Sequence, residues 1–275
     1  MRRIPWHKLR ISWLFAIAAF AFLLGPFVVV VSASFDGRPS YFPHFPPQDL
    51  SFTWYRQIPQ GYFDALLTSV LVAALVAVLS ALVGLMAAWG VVRSRIAGKE
   101  FLLAFFRLPI QIPLVVTGAV FMQFYYQLSA ILGVKLLYSF SGLVLAHLFV
   151  AIPYSVGAIA AVLVRFDHSL EEAAQSLGAT GWSVFRRVIF PAIRPGVVIG
   201  MFYGFIVSFG DVPISIFLVD KTTMTIPVRL FYDMQFDFRP TILAISTVIL
   251  VLSLALILGV QKIVGLEMVV PTNNR

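Results

Sequence analysis

Six long apolar segments with almost no charge constrain the fold of this chain more than any other feature of its sequence. Each has the length of about 20 residues that an α-helix needs to cross the hydrocarbon core of a bilayer. Six such helices in a water-soluble protein would leave almost no polar face toward solvent. The sequence therefore predicts an all-α membrane protein with a single transmembrane domain. The predicted spans are residues 11–34, 65–92, 108–132, 141–164, 196–219 and 240–261.

The composition supports a membrane location and excludes several chemistries. Only 12% of the 275 residues are charged, which is about half the fraction found in soluble domains. The chain has no cysteine, so disulfides, thiolate metal sites and thiol catalysis are excluded. The net charge of +8 lies mainly in the segments between spans, where it bears on topology. We therefore expect contact with membrane lipid, no nucleic-acid partner, no metal and no catalytic residues.

The distribution of Lys and Arg predicts the orientation of the chain. With the N-terminus inside the cell, 14 of the 20 basic residues lie in inner segments. The six in outer segments are Arg38, Arg56, Lys135, Lys221, Arg229 and Arg239. Because basic residues are retained on the cytoplasmic side, we expect both termini and the loop at residues 166–194 to be cytoplasmic. The first apolar run is too long for a signal-peptide core, so we expect it to remain as a helix.

A polar stretch between the fourth and fifth spans, LEEAAQSLGATGWSVFRRVIFPAIRP, stands out from the apolar sequence around it. We expect a short helix at its start, with Ser169 as the N-cap. Glu171 and Glu172 then fall in the first turn, where negative charge is favourable to the helix dipole. Gly178 is the expected end of this helix, because glycine accepts the left-handed conformation at a helix C-terminus.

The second half of this stretch predicts another short amphipathic helix, at residues 182–190. Pro191 and Pro195 follow it, and we expect them to redirect the chain into the fifth span, since proline interrupts a helix. On local chemistry alone, an alternative remains open. The loop could be a solvated amphipathic segment that lies on the lipid headgroups with Trp182 as its anchor.

The spacing within this loop resembles the EAA loop of permease subunits in binding-protein-dependent ATP-binding cassette (ABC) importers. Glu172-Ala173-Ala174 is followed by Gly178 and, thirteen residues after that glycine, by Pro191. The apolar residues before this proline, Val188 and Phe190, differ in identity from the Ile and Leu usual in the family but keep its apolar character.

The resemblance extends beyond the loop to the chain from Ala65 onward, which looks like the spermidine/putrescine branch of these permeases. Two stretches carry this likeness, His147–Thr180 and Ser208–Leu218. The polyamine branch often has two adjacent acids where this chain has Gly210-Asp211. Permeases for other small polar organic solutes therefore stay open as alternatives.

This resemblance implies a type I ABC importer permease fold in the bacterial inner membrane. It implies that the solute is a polyamine or a related nitrogen-containing compound. The implied partners are a second permease that is a distinct homologue, two ATPase subunits and a periplasmic solute-binding protein. ATP would bind to the ATPase subunits, so we expect no cofactor in this chain and no enzymatic activity of its own. The residues implied in ATPase coupling are Glu171, Glu172, Ala173, Ala174, Gly178 and Pro191.

Asp211 is the only charged residue deep inside a predicted span. An unpaired carboxylate there costs about 2.5–3.5 kcal/mol on insertion scales, so it should face protein or water. Pro213 predicts a helix break near Gly210, because proline removes a backbone hydrogen bond. The small residues before Asp211 recur at every fourth position, which allows close helix contact. They are Gly196, Gly200, Gly204 and Ser208.

Two roles for this region follow. Ser208, Gly210 and Asp211 could border the translocation pathway and attract a cation at the broken helix. Alternatively, Asp211 caps or pairs with groups nearby. We interpret His147 as a hydrogen-bonded packing residue, with a pathway role as its alternative. A self-contained ion-coupled secondary transporter is the rival function, but it would need more ionisable groups in the spans than Asp211.

Overall fold

The computed structural model describes residues 6–38, 44–94, 97–236 and 238–264, which are mainly helical. Six of the helices in these ranges are long and apolar enough to cross a membrane, which confirms the predicted number. The first seven helices are α1 (Trp6–Ala33), α2 (Thr53–Arg56), α3 (Gln60–Arg93), α4 (Lys99–Phe105), α5 (Leu108–Gln111), α6 (Leu114–Leu132) and α7 (Phe140–Leu163). The others are α8 (Ser169–Ser176), α9 (Gly181–Val184), α10 (Phe190–Phe209), α11 (Ser215–Leu218), α12 (Ile226–Phe236) and α13 (Thr241–Val264).

Proline determines where the third spanning helix begins. The chain is extended at Ile112, immediately before Pro113, and α6 starts at the next residue. A residue that precedes proline is disfavoured in the helical conformation, so α5 ends there and remains a separate turn of four residues. The long helix of the predicted span at residues 108–132 therefore begins only at Leu114.

The fifth spanning helix starts earlier than the sequence predicts. One continuous helix runs over Gly181–Phe209. It begins before the predicted span at residues 196–219 and ends inside it, and the membrane boundaries of this span stay a prediction. A π-helical turn at Phe185–Ile189 joins α9 to α10. This wider turn accommodates Pro191, which lacks an N–H and would clash with a carbonyl in a regular α-helix. Pro191 and Pro195 therefore lie within the helix and do not redirect the chain.

The chain separates into two compact units, the first formed by Met1–Tyr62 and Tyr232–Leu256 and the second by Phe63–Phe231 and Ile257–Arg275. In the first unit, the Trp54 indole donates a hydrogen bond to the Asp36 carbonyl oxygen at 2.7 Å, which anchors the segment after α1. The single domain expected from the sequence stays a prediction. The second unit contains all the candidate site residues.

Small residues bring α10 into close contact with its neighbours in the second unit. The small residues that recur at every fourth position of α10 are all buried, in line with the close helix contact that their spacing predicts. A Cβ atom added at Gly200 would lie 3.2 Å from the Ser155 Cα of α7. The Ser155 hydroxyl lies 3.1 Å from both the Ser80 hydroxyl of α3 and the Gly200 carbonyl oxygen. Backbone proximity and this buried polar contact thus hold α3, α7 and α10 together.

Candidate functional site

The candidate coupling loop begins with α8, whose N-terminus is organised by Asp167. The Asp167 carboxylate accepts a hydrogen bond from the backbone N–H of Ser169 at 2.9 Å. Ser169 is therefore not the N-cap, and that prediction is wrong, because the helix starts one residue earlier than expected and Asp167 supplies the acceptor. The bonds from Ser169 hold the pKa of Asp167 below its usual value. Glu171 and Glu172 lie in the first turn, as predicted.

The end of α8 is a Schellman motif centred on Gly178. Gly178 has a φ of +81°. Its N–H donates to the Gln175 carbonyl at 2.9 Å, and the Ala179 N–H donates to the Ala174 carbonyl at 3.1 Å. This pair of bonds defines the motif and satisfies two carbonyls at the helix end. The predicted left-handed glycine at the end of this helix is confirmed.

The two faces of α8 have different surroundings. On one face, Glu171 is partly buried, and Ala174 packs against a buried cluster formed by Leu163, Val184, Ile189 and Ile193. On the other face, Glu172 and Ala173 are exposed to solvent. The helix is therefore fixed to the membrane helices on one side and free to bind another molecule on the other.

An ion pair joins α8 to the end of α3. The Arg93 guanidinium lies 2.6 Å from the Glu171 carboxylate, and each side chain is 20% exposed. Arg93 also lies 3.1 Å from the His168 ring and stacks over the Trp89 ring, with 4.6 Å between the guanidinium carbon and the ring centroid. From the sequence, Arg93 is only one of the 14 inner basic residues that predict the orientation. Its partner lies far along the chain, and no local spacing signals such a pair.

The exposed part of the loop carries large apolar side chains that are unusual for a solvated surface. Leu177 is 89% exposed at the end of α8, and Trp182 is exposed at the start of the next helix. Trp182 stacks on Phe185 with 5.6 Å between ring centroids. Pro191, which the resemblance assigned to coupling, is also exposed. Exposed apolar groups next to charged ones are typical of an interaction surface.

A second group of polar residues is buried where α10 ends. Asp211 is 7% exposed. Its Oδ2 atom accepts hydrogen bonds from the Ile214 N–H at 3.2 Å, the Ser215 N–H at 2.8 Å and the Ser215 hydroxyl at 2.8 Å. The His147 Nε2 atom lies 3.4 Å from the same oxygen. One carboxylate oxygen thus caps the turn that leads into α11.

His147 completes this buried cluster. Its Nδ1 atom lies 2.7 Å from the Ser208 hydroxyl and its Nε2 atom lies 3.0 Å from the Ser215 hydroxyl. The interpretation of His147 as a hydrogen-bonded packing residue is confirmed. The helix break predicted near Gly210 is also confirmed, since α10 ends at Phe209. Of the three predicted pathway residues, Ser208 and Asp211 are buried and Gly210 is exposed.

Within the residues that the structure describes, no group of three or more His, Asp or Glu side chains could hold a metal ion. His147 and Asp211 are two potential ligands, and serine hydroxyls lie within hydrogen-bond distance of both His147 ring nitrogens and of the Asp211 Oδ2 atom. The cluster is therefore a hydrogen-bonded network that stabilises the end of α10.

Comparison with known proteins agrees with this architecture. Residues 80–266 match the family described as "Binding-protein-dependent transport system inner membrane component". The probable sulfate transport system permease protein cysT of Chlorokybus atmophyticus is 30% identical over 90% of this chain and 84% of its own length. The spermidine/putrescine transport system permease protein PotC of Haemophilus influenzae is 28% identical over 86% of this chain and 90% of its own length.

A solved structure has the same fold. In the crystal structure of a bacterial ABC transporter involved in the import of the acidic polysaccharide alginate, one chain superposes with a TM-score of 0.72. The match covers 94% of this chain and 97% of that one, at 17% sequence identity. The relatives are transport permeases and not enzymes. The chain is thus a multi-pass permease subunit of an ABC importer, and it belongs to the family of binding-protein-dependent transport system inner membrane components.

Proposed function

We propose that α8 is the helix that receives an ATPase subunit, and that the Arg93–Glu171 ion pair passes its movement to α3. The observation that carries this proposal is the division of α8 into two faces. Glu172 and Ala173 are exposed, whereas Glu171 is paired with Arg93. A helix held on one side and open on the other can transmit a partner's movement as a rigid body.

Several contacts support the rigid attachment of α8. The ion pair is partly buried, so solvent screens it less than it screens a surface pair. Stacking of Arg93 over Trp89 contributes about 0.5–1 kcal/mol at a partly exposed site. Ala174 adds an apolar contact with the buried cluster beneath the helix. We expect movement of α8 to reach α3 with little loss, because charged and apolar contacts act together.

The partners follow from the family. We propose that the chain pairs with a second, distinct permease, two ATPase subunits and a periplasmic solute-binding protein. The description of the family as binding-protein-dependent supports the last partner. Further support comes from the bacterial alginate ABC transporter, which was solved in complex with an alginate pentasaccharide-bound periplasmic protein. ATP would bind to the ATPase subunits, on the same side as residues 166–194.

For the solute, we propose a polyamine or a related nitrogen-containing compound. The likeness to the spermidine/putrescine permease over 86% of the chain supports this class. Sulfate is the second candidate, because the sulfate permease relative covers 90% of the chain at 30% identity. Uptake of labelled spermidine and labelled sulfate by vesicles that contain the whole transporter would distinguish these two solutes.

For the predicted pathway residues, we propose different contributions. Oδ2 of Asp211 already accepts three hydrogen bonds within the chain. We therefore assign Asp211 a structural role, in which it stabilises the end of α10. Ser208 contributes through its contact with His147. Gly210 is exposed, and it is the residue of the three that we expect to border the solute pathway.

Reversing the charge of Glu172 tests the docking proposal. We expect Glu172→Lys to reduce ATP-dependent uptake and co-purification of the ATPase subunits by about tenfold, because a new cation on the free face disturbs a complementary surface. Glu100→Lys is the matched control, since it reverses an exposed charge on α4. If both variants assemble and transport like the unaltered transporter, α8 does not receive the ATPase through this face.

A further inference from the structure

We propose that a cleft between α7 and the α4–α5 segment binds one anionic phospholipid. The cleft has a volume of about 330 Å³. Leu103 and Phe106 line it on one side, and Pro153 and Gly157 of α7 line it on the other. This lining is apolar, and it suits a hydrocarbon chain.

The cleft also has a charged end. Arg107 and Arg165 both line it. Among the residues that the structure describes, neither guanidinium has an ion-pair or hydrogen-bond partner. Two unpaired cations beside an apolar surface are complementary to an anionic headgroup attached to an acyl chain. A free inorganic anion would use the arginines alone and would leave the apolar surface uncovered.

The topology brings both arginines to headgroup depth. Arg107 precedes α5 and α6, and Arg165 follows the end of α7 by two residues. Because α6 and α7 are consecutive spans, the start of one and the end of the other lie at the same membrane face. Basic pockets between membrane helices at that level bind anionic lipid headgroups. The proposal is independent of the transported solute and of the coupling proposal.

Gly157 provides a way to test the hydrocarbon half of the site. A Cβ atom added at this glycine would have no heavy atom within 4 Å. Gly157→Leu therefore adds apolar volume at the cleft with no clash at its Cβ atom, and it leaves both arginines in place. The charged half can be tested separately with Arg107→Gln and Arg165→Gln.

The experiment is native mass spectrometry of the purified transporter with phosphatidylglycerol or phosphatidylcholine of the same acyl chains. We expect retention of phosphatidylglycerol to fall about fivefold for each arginine removed, on the order of 25-fold for the double variant. Gly157→Leu should also lower retention. The control is Arg186→Gln with Arg187→Gln, which removes the same charge from exposed positions outside the cleft.

Three results would overturn the proposal. The first is equal loss of lipid in the control double variant, which would indicate general surface attraction. The second is equal retention of phosphatidylcholine and phosphatidylglycerol by the unaltered transporter. The third is full displacement of the lipid by inorganic phosphate together with no effect of Gly157→Leu, which would indicate a site for a free oxyanion.

Discussion

Asp211 is a residue whose surroundings change the interpretation of its charge. A lone acid in an apolar span suggests a cation pathway. Yet one oxygen of Asp211 accepts hydrogen bonds from the Ser215 hydroxyl and from the backbone N–H groups of Ile214 and Ser215. The sequence identified the residue and the break in the helix. It did not identify the partners, because Ser215 has no pattern that marks it and His147 lies on another helix.

We expect Asp211→Asn to lower the stability of the transporter by about 2 kcal/mol, since hydrogen bonds to a charged group contribute about 1.5–3 kcal/mol. Thermal unfolding and yield of the purified complex measure this change. Uptake per assembled complex should stay the same. Asp49→Asn is the control, because Asp49 is exposed. Normal stability combined with lost uptake in Asp211→Asn would indicate that Asp211 lies on the solute pathway.

Arg93 and Glu171 illustrate the limit of prediction at single residues. Each fits a simple interpretation, Arg93 as a basic flank of a span and Glu171 as an acid in the first turn of a helix. Their contact arises only when α3 and α8 pack together. Pairings of this kind depend on tertiary structure, and a single sequence contains no periodicity that reveals them.

At the level of elements, apolar length predicted the six spans, since a bilayer requires that length. The boundaries of the fifth helix were not predictable in the same way. Proline normally interrupts a helix, and residues 185–189 avoid this by forming a wider turn. The polar loop is therefore shorter than its composition suggests, and α9 continues directly into a spanning helix.

Substitutions in the turn between α8 and α9 test how far coupling depends on the position of α8. Gly178 has space around it and a positive φ, so Gly178→Val costs about 1–3 kcal/mol through backbone strain alone. We expect lower ATP-dependent uptake and weaker ATPase retention, with partial recovery in Gly178→Asn, because asparagine tolerates this conformation.

The matched control for this turn is Gly181→Val. Gly181 also has open space around it, but it has no positive φ. Equal uptake by the Gly178 and Gly181 variants would mean that the left-handed turn does not matter for coupling.

At the level of the whole molecule, the orientation is a prediction from the basic residues. The chain lacks cysteine, so single cysteines report accessibility without background. We expect Gln175→Cys on α8 to resist impermeant thiol reagents in intact cells and to react in inverted vesicles. Lys221→Cys should react in the opposite way. Labelling of Gln175→Cys from outside intact cells would contradict the predicted topology.

The most direct test of coupling through α8 is a charge swap between Arg93 and Glu171 in the reconstituted transporter. The quantity to measure is solute imported per ATP hydrolysed. We expect Arg93→Glu and Glu171→Arg each to lower this ratio about tenfold, because each leaves a partly buried charge beside a like charge. The double variant should recover at least half of the ratio of the unaltered transporter, since it restores the ion pair but loses the stacking on Trp89. Unchanged ratios in both single variants would contradict transmission through this ion pair.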